Sequence, residues 1–61
     1  MNDLQQKVLS LVIAGKKNGE IAEELSYSET YIKKIIKQLF DIFKAKNRIE
    51  LVRESLLFLL K

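Results

Sequence analysis

The stretch NGEIAEELSYSETYIKKIIKQL, residues 18–39, holds two helical patterns separated by a short polar segment. The first pattern predicts a helix over about residues 19–25, with Ile21, Ala22 and Leu25 on one face. The second predicts a helix over about residues 29–43, with one apolar face made of Ile32, Ile35, Ile36, Leu39 and Phe43. A short helix, a turn of about three residues and a longer helix indicate a helix-turn-helix.

The opposite side of the second helix is polar and mostly basic. Within a sector of about 100° it carries Thr30, Lys33, Lys34, Lys37 and Asp41. A helix fits the major groove of B-DNA, where lysines meet phosphates or the acceptor-rich edge of guanine. The simpler interpretation is the solvated side of an amphipathic helix, which is commoner for any charge cluster taken alone. The turn geometry favours the groove-facing interpretation.

Helical spacing recurs on both sides of this motif, so the expected fold class is an all-α four-helix bundle containing a helix-turn-helix. The first helix, about residues 3–14, begins at Asn2 or Asp3 and ends at Gly15. Its inner stripe is Leu4, Val8, Leu11 and Val12. The last helix, about residues 48–60, begins after Asn47, with Glu50 completing a capping box.

The sequence also predicts the helix caps and the burial of several individual side chains. Asn18 and Ser28 are expected to cap the two helices of the motif. Tyr27, in the turn, is expected to be buried. Tyr31, at the edge of the apolar face, is expected to be partly buried; the alternative is that it stacks or reaches a phosphate with its hydroxyl. The last helix is expected to bury Val52, Leu56 and Leu59.

Composition narrows the possible functions. The chain has 61 residues, enough for a single domain over residues 1–61. It contains neither cysteine nor histidine, which argues against a disulfide framework and a structural zinc site. The usual general base and the strongest nucleophile are therefore missing. We expect no enzyme activity, no cofactor and no bound metal.

Charge is distributed unevenly along the chain. Residues 1–32 carry a net charge of −2, whereas residues 33–53 carry a net charge of +5. A positive region on so small a domain points to a polyanionic partner. No signal peptide opens the chain, and the longest apolar run, LLFLL at residues 56–60, is far short of the ~20 residues that span a bilayer. We expect a cytoplasmic protein without a membrane partner.

Three spaced motifs extend this interpretation. They are V-L-x-L-V-x-x-G-x-x-N-x-E-I-A-E-x-L at residues 8–25, S-E-x-x-I-K at residues 28–33 and K-N-R-x-E-L-V at residues 46–52. Their combined spacing resembles the LuxR-type (GerE-type) DNA-binding domain of bacterial transcription regulators over roughly residues 4–53. The chain departs from that pattern at Tyr31, where threonine is usual, at Ile35, often histidine, and at Ile42-Phe43-Lys44, where K-L-G is common.

The resemblance implies a four-helix domain with DNA-contacting residues on its third helix. Lys33, Lys34 and Lys37 match positions that face bases, and Thr30 lies on the same face. Asn18, Lys46, Asn47 and Arg48 match positions near the DNA backbone or helix starts. Dimers in the family associate through the fourth helix, which here has surplus apolar residues: Leu57, Phe58 and Leu60.

Alternatives remain open on the residues alone. Arg48 either binds phosphate or pairs with a carboxylate such as Glu23 or Glu24. The chain is either a dimeric sequence-specific DNA-binding regulator or a protein-interaction module that uses the apolar patch of the last helix. A sensor or receiver domain, or RNA polymerase, is a possible further partner. A promoter-reading domain of a sigma factor shares the motif, but the short chain and the Asn47-Arg48 pair argue against it.

Overall fold

A computed structural model describes residues 1–60, and this part of the chain contains four α-helices and no strand. They are α1 (Asp3–Ile13), α2 (Asn18–Leu25), α3 (Glu29–Phe43) and α4 (Arg48–Leu59). The expected all-α fold is confirmed, and each helix begins and ends within one residue of its predicted boundary. No helix within residues 1–60 has both the length and the apolar character needed to cross a membrane.

Three of the four helices begin with a side-chain cap at the expected residue. The full capping box predicted for α4 is wrong, because Glu50 Oε1 accepts from the Lys46 N–H at 3.2 Å and not from the Asn47 N–H. Asn2 Oδ1 accepts a hydrogen bond from the Gln5 backbone N–H at 2.7 Å. Ser28 Oγ accepts from Tyr31 N–H at 3.1 Å, and Asn47 Oδ1 accepts from Glu50 N–H at 2.8 Å. Each cap satisfies one of the backbone donors that a helix leaves free at its start.

The start of α2 differs from the prediction. The residue before the helix is Lys17, whose backbone N–H donates to Glu20 Oε1 at 2.8 Å, while Asn18 is already the first helical residue. The expectation that Asn18 caps α2 is therefore wrong. Its side chain is instead hydrogen-bonded to Arg48.

The first three helices end in the same way. Gly15, Ser26 and Lys44 adopt left-handed backbone conformations, with φ of 86°, 62° and 53°. In each case the next residue's N–H donates to the carbonyl five residues back: Lys16 to Leu11, Tyr27 to Ala22 and Ala45 to Phe40. These are Schellman motifs, which satisfy otherwise free carbonyls. Lys44 thus ends α3 in the conformation that glycine adopts most easily.

The core is centred on α3. It consists of Val8, Leu9 and Val12 from α1, Ile21 and Ala22 from α2, Ile32, Ile35, Ile36 and Leu39 from α3, and Leu51 from α4. A polar contact adds to the packing of α1 on α3, because Gln5 Nε2 donates to Gln38 Oε1 at 3.0 Å. The predicted apolar face of α3 is confirmed, with Phe43 partly buried against the core.

The inner face of α4 is not the one predicted. Leu51 and Ser55, four residues apart, are fully buried, whereas Val52, which was expected to be buried, is half-buried. Leu56 and Leu59, which were expected to be buried, are 42% and 62% exposed. The Ser55 side chain is small, and its hydroxyl donates to the Val52 carbonyl at 2.9 Å, so no polar atom is left unsatisfied.

Candidate nucleic-acid interface

The turn between α2 and α3 consists of Ser26, Tyr27 and Ser28. Left-handed Ser26 redirects the chain, and Ser28 then caps α3. Ile21 and Ala22 of α2 belong to the same buried cluster as Ile32 at the start of α3. Because the apolar faces of both helices are buried in one core, the outer side of α3 is left facing solvent.

That outer side matches the prediction in its exposure. Thr30, Lys33, Lys34 and Lys37 are all exposed. Within residues 1–60 the one ion pair is between Arg53 and Glu54, at 3.7 Å, so no carboxylate of that part neutralises these lysines. Three unpaired ammonium groups on one face of a single helix create a positive surface that attracts an anionic partner.

Arg48 connects the start of α4 to the residues at the start of the helix-turn-helix. Its Nη1 donates to Asn18 Oδ1 at 2.8 Å and its Nη2 donates to the backbone carbonyl of Lys16. Pairing with Glu23 or Glu24 is contradicted, because no such ion pair occurs in the described part of the chain. Arg48 therefore joins the start of α4 to the turn before α2. Lys46 lies nearby in sequence and is exposed.

Two tyrosines lie beside the exposed basic side of α3. Tyr27 is 45% exposed, so the expectation that it is buried is wrong, and Tyr31 is 39% exposed. Their rings stack with centroids 5.1 Å apart and planes 29° from parallel. The two rings therefore pack against each other at the surface and are not buried in the core. The signal for this pair in the sequence is the four-residue spacing of the two tyrosines across the start of α3.

The end of α4 presents a large apolar surface. Leu57, Phe58 and Leu60 are exposed, as predicted from their excess over the core, and so are Leu56 and Leu59. Ile49, in the first turn of α4, is exposed as well. Phe58 also packs edge to face on Phe43 of α3, with ring centroids 5.7 Å apart. Exposed apolar side chains at five successive positions, residues 56–60, indicate an interaction site.

Comparison with known proteins identifies the class to which this fold and surface belong. Residues 3–55 match the family model described as "Bacterial regulatory proteins, luxR family". The chain belongs to this family, which is a class of transcription regulators and not a class of enzymes. The predicted resemblance is thereby confirmed.

Two curated relatives agree with the family. The chain is 36% identical over 55 residues to the transcriptional regulatory protein DesR of Bacillus subtilis (strain 168), covering 90% of this chain and 28% of the relative. It is 40% identical over 52 residues to the probable transcriptional regulator ycf29 of Cyanophora paradoxa, covering 85% and 25%. The chain thus spans about a quarter of the length of these relatives. No solved structure matches it significantly.

Proposed function

We propose that this chain is a sequence-specific double-stranded DNA-binding domain of a bacterial transcription regulator, with α3 in the major groove. The observation that carries the proposal is the helix-turn-helix whose outer α3 face bears three exposed, unpaired lysines. On this proposal Lys33, Lys34 and Lys37, with Thr30, meet base edges and adjacent phosphates. Such a domain acts where the bacterial chromosome lies, in the cytoplasm.

The flanking residues have a separate proposed role. Lys46 contacts the phosphate backbone, and Arg48 does so with the guanidinium N–H groups that Asn18 and Lys16 leave free. Asn18 contributes by fixing the direction of that guanidinium. These contacts set the register of α3 on the duplex and carry no sequence information directly.

The domain is proposed to act as a homodimer through α4. Ile49, Val52, Leu56 and Leu59 follow a three-four-three spacing, which is the seam of a two-helix coiled coil. Leu57, Phe58 and Leu60 widen this apolar surface at the end of the helix. Two copies related by a two-fold axis would read two half-sites, the usual way in which such domains gain specificity.

Salt dependence of duplex binding tests the DNA-binding proposal. The logarithm of the association constant should fall linearly with the logarithm of the salt concentration. If each Lys34 displaces one counterion, Lys34→Gln should reduce the slope by about 0.9 for each bound protomer, and so by about 1.8 for a dimer. Lys7→Gln removes the same charge from the exposed side of α1 and should leave the slope unchanged. Equal slopes for all three proteins would contradict the proposed orientation of α3.

Sedimentation equilibrium tests the dimer. Leu56→Lys places a charge in the proposed interface and should convert the dimer to a monomer, because an unpaired charge is costly to bury. Glu24→Gln changes the net charge by the same amount on the exposed side of α2, so it serves as the control. A wild-type monomer at all concentrations, or a Leu56→Lys dimer as stable as wild type, would contradict this interface.

The second candidate function is a protein-interaction module. The exposed apolar surface of α4 favours it, since that surface would also fit a sensor or receiver domain or a subunit of RNA polymerase. Duplex binding separates the two candidates. A protein that binds no DNA at low salt, while its helices remain folded by circular dichroism, would favour the interaction module.

A further inference from the structure

Tyr27 and Tyr31 form an exposed aromatic pair that the proposed lysine contacts do not use. Their rings stack on one another, yet each side chain keeps more than a third of its surface in contact with solvent. Within residues 1–60, no protein group accepts or donates a hydrogen bond at either phenol hydroxyl. Both hydroxyls are therefore available to a partner.

The position of Tyr31 on α3 indicates what that partner is. At 100° per residue, Tyr31 lies about 60° around the helix from Lys34 and about 40° from buried Ile35. It therefore borders the exposed face instead of lying at its centre. When a helix occupies the major groove, residues at the centre of its exposed face meet base edges, whereas residues at the border face the phosphates that line the groove.

We propose that the Tyr31 hydroxyl donates a hydrogen bond to a DNA backbone phosphate at the edge of the major groove. Tyrosine is one of the side chains that make such contacts. Tyr27 acts as a positioning residue: its ring packs against that of Tyr31 and limits the orientations of the phenol. This inference rests on the proposed function, because it requires α3 to enter the groove.

Stacking of the two rings lowers the entropy cost of the proposed phosphate contact. A tyrosine has few rotatable bonds, so little conformational entropy is lost when its hydroxyl is fixed. Offset-stacked rings with centroids about 4.5–7 Å apart attract one another, and the 5.1 Å separation lies in that range. The hydroxyl is thus held at the border of the lysine face before DNA arrives, which reduces the entropy lost on binding.

A neutral donor to phosphate has a distinct binding signature. A hydrogen bond to a charged group is strong enough that its loss weakens binding about tenfold. Tyrosine carries no charge and displaces no counterion, so its removal should not change the salt slope, unlike the removal of a lysine. A phosphate contact should also contribute equally to duplexes of different sequence.

Four variants test the proposal on a duplex selected from a random library by the wild-type protein and on an unrelated duplex. Tyr31→Phe keeps the stack and removes the hydroxyl. Binding to both duplexes should therefore weaken about tenfold for each bound protomer, about a hundredfold for a dimer, with an unchanged salt slope. Lys7→Gln, on the exposed side of α1, should bind as wild type. Tyr27→Ala removes the supporting ring and should weaken binding. Lys34→Gln reports separately on the proposed function.

The results separate a failure of the Tyr31 contact from a failure of the proposed DNA binding by α3. If Tyr31→Phe binds as tightly as wild type while Lys34→Gln lowers affinity and slope, the tyrosine contact is wrong and α3 still enters the groove. If Tyr31→Phe weakens binding to the selected duplex alone, Tyr31 contacts a base and the phosphate assignment is wrong. If neither Lys34→Gln nor Tyr31→Phe changes binding, both proposals fail. Circular dichroism and the unfolding midpoint establish that each variant is folded.

Discussion

Arg48 and Asn18 are joined by a hydrogen bond of 2.8 Å from Nη1 to Oδ1, although they lie thirty residues apart in the chain. The same guanidinium also donates to the carbonyl of Lys16 through Nη2. One side chain at the start of α4 therefore holds both the turn before α2 and the first residue of α2. The geometry of the helix-turn-helix is thus coupled to the helix proposed to form the dimer.

This coupling predicts non-additive mutations. Arg48→Ala and Asn18→Ala should each destabilise the fold, and the double variant should lose about 1 kcal/mol less than the sum, because both remove the same partly buried hydrogen bond. Urea unfolding at one protein concentration measures the three differences. Additivity within about 0.3 kcal/mol would show that the bond contributes nothing.

Arg53, five residues later in the same helix, provides the control. Arg53 forms its one ion pair with Glu54 at 3.7 Å, and its side chain is 65% exposed. Exposed ion pairs contribute little, so Arg53→Ala should change the free energy of unfolding by less than about 0.5 kcal/mol. A loss at Arg53 as large as that at Arg48 would indicate a general effect of charge.

The two glycines are predicted to respond oppositely to alanine. Gly15 has φ of 86°, so Gly15→Ala should cost about 1–2 kcal/mol even though the space around it is open. Gly19 lies within the first turn of α2, where an added Cβ would meet the Glu29 carboxylate at an ordinary 3.8 Å. Gly19→Ala should therefore stabilise the fold by about 0.5–1 kcal/mol. Thermal or urea unfolding measures both changes, and effects of the same sign would contradict this reasoning.

Lys44 allows the reverse substitution, in which glycine replaces a left-handed residue that has a Cβ. Its φ of 53° is unfavourable for a residue with a Cβ, so Lys44→Gly should stabilise the protein by about 0.5–1 kcal/mol. Lys46→Gly, a change of the same type at a residue without positive φ, should be neutral or destabilising. The expected order of urea midpoints is Lys44→Gly, wild type, Lys46→Gly. A destabilised Lys44→Gly would mean that α3 does not end in a left-handed residue.

Ser55 is fully buried on the inner face of α4. Its hydroxyl is bonded only to the Val52 carbonyl of its own helix, so Ser55→Ala should change stability by less than about 0.5 kcal/mol. Ser55→Leu should cost about 1–3 kcal/mol, because a fully buried serine leaves no room for a larger side chain. Urea unfolding compares the two. A stable Ser55→Leu would imply that α4 packs through a different face.

The helices and the apolar face of α3 could be predicted because local rules determine them. Ile32, Ile35, Ile36 and Leu39 repeat at helical spacing, and Gly15 and Ser28 have strong preferences for helix ends. The same periodicity predicts that the lysines of α3 are exposed, since they lie on the side opposite the buried face.

The inner face of α4 could not be predicted in this way. Residues 56–60 are apolar without interruption, so periodicity does not reveal which of them point inward. Which residues face the core depends on how α4 packs on α3. That packing buries the small Ser55 and leaves Leu56 exposed. Likewise the Asn18–Arg48 bond and the Tyr27–Tyr31 stack arise from tertiary proximity, which single-residue preferences do not report.

The most direct measurement is selection of bound duplexes from a random DNA library by the wild-type protein and by the Lys33→Ala, Lys37→Ala double variant. We predict that the wild type enriches a two-fold-symmetric site and that the double variant loses this enrichment while remaining folded. Both proteins binding weakly and equally, with no enriched site, would contradict the proposed reading of DNA by α3.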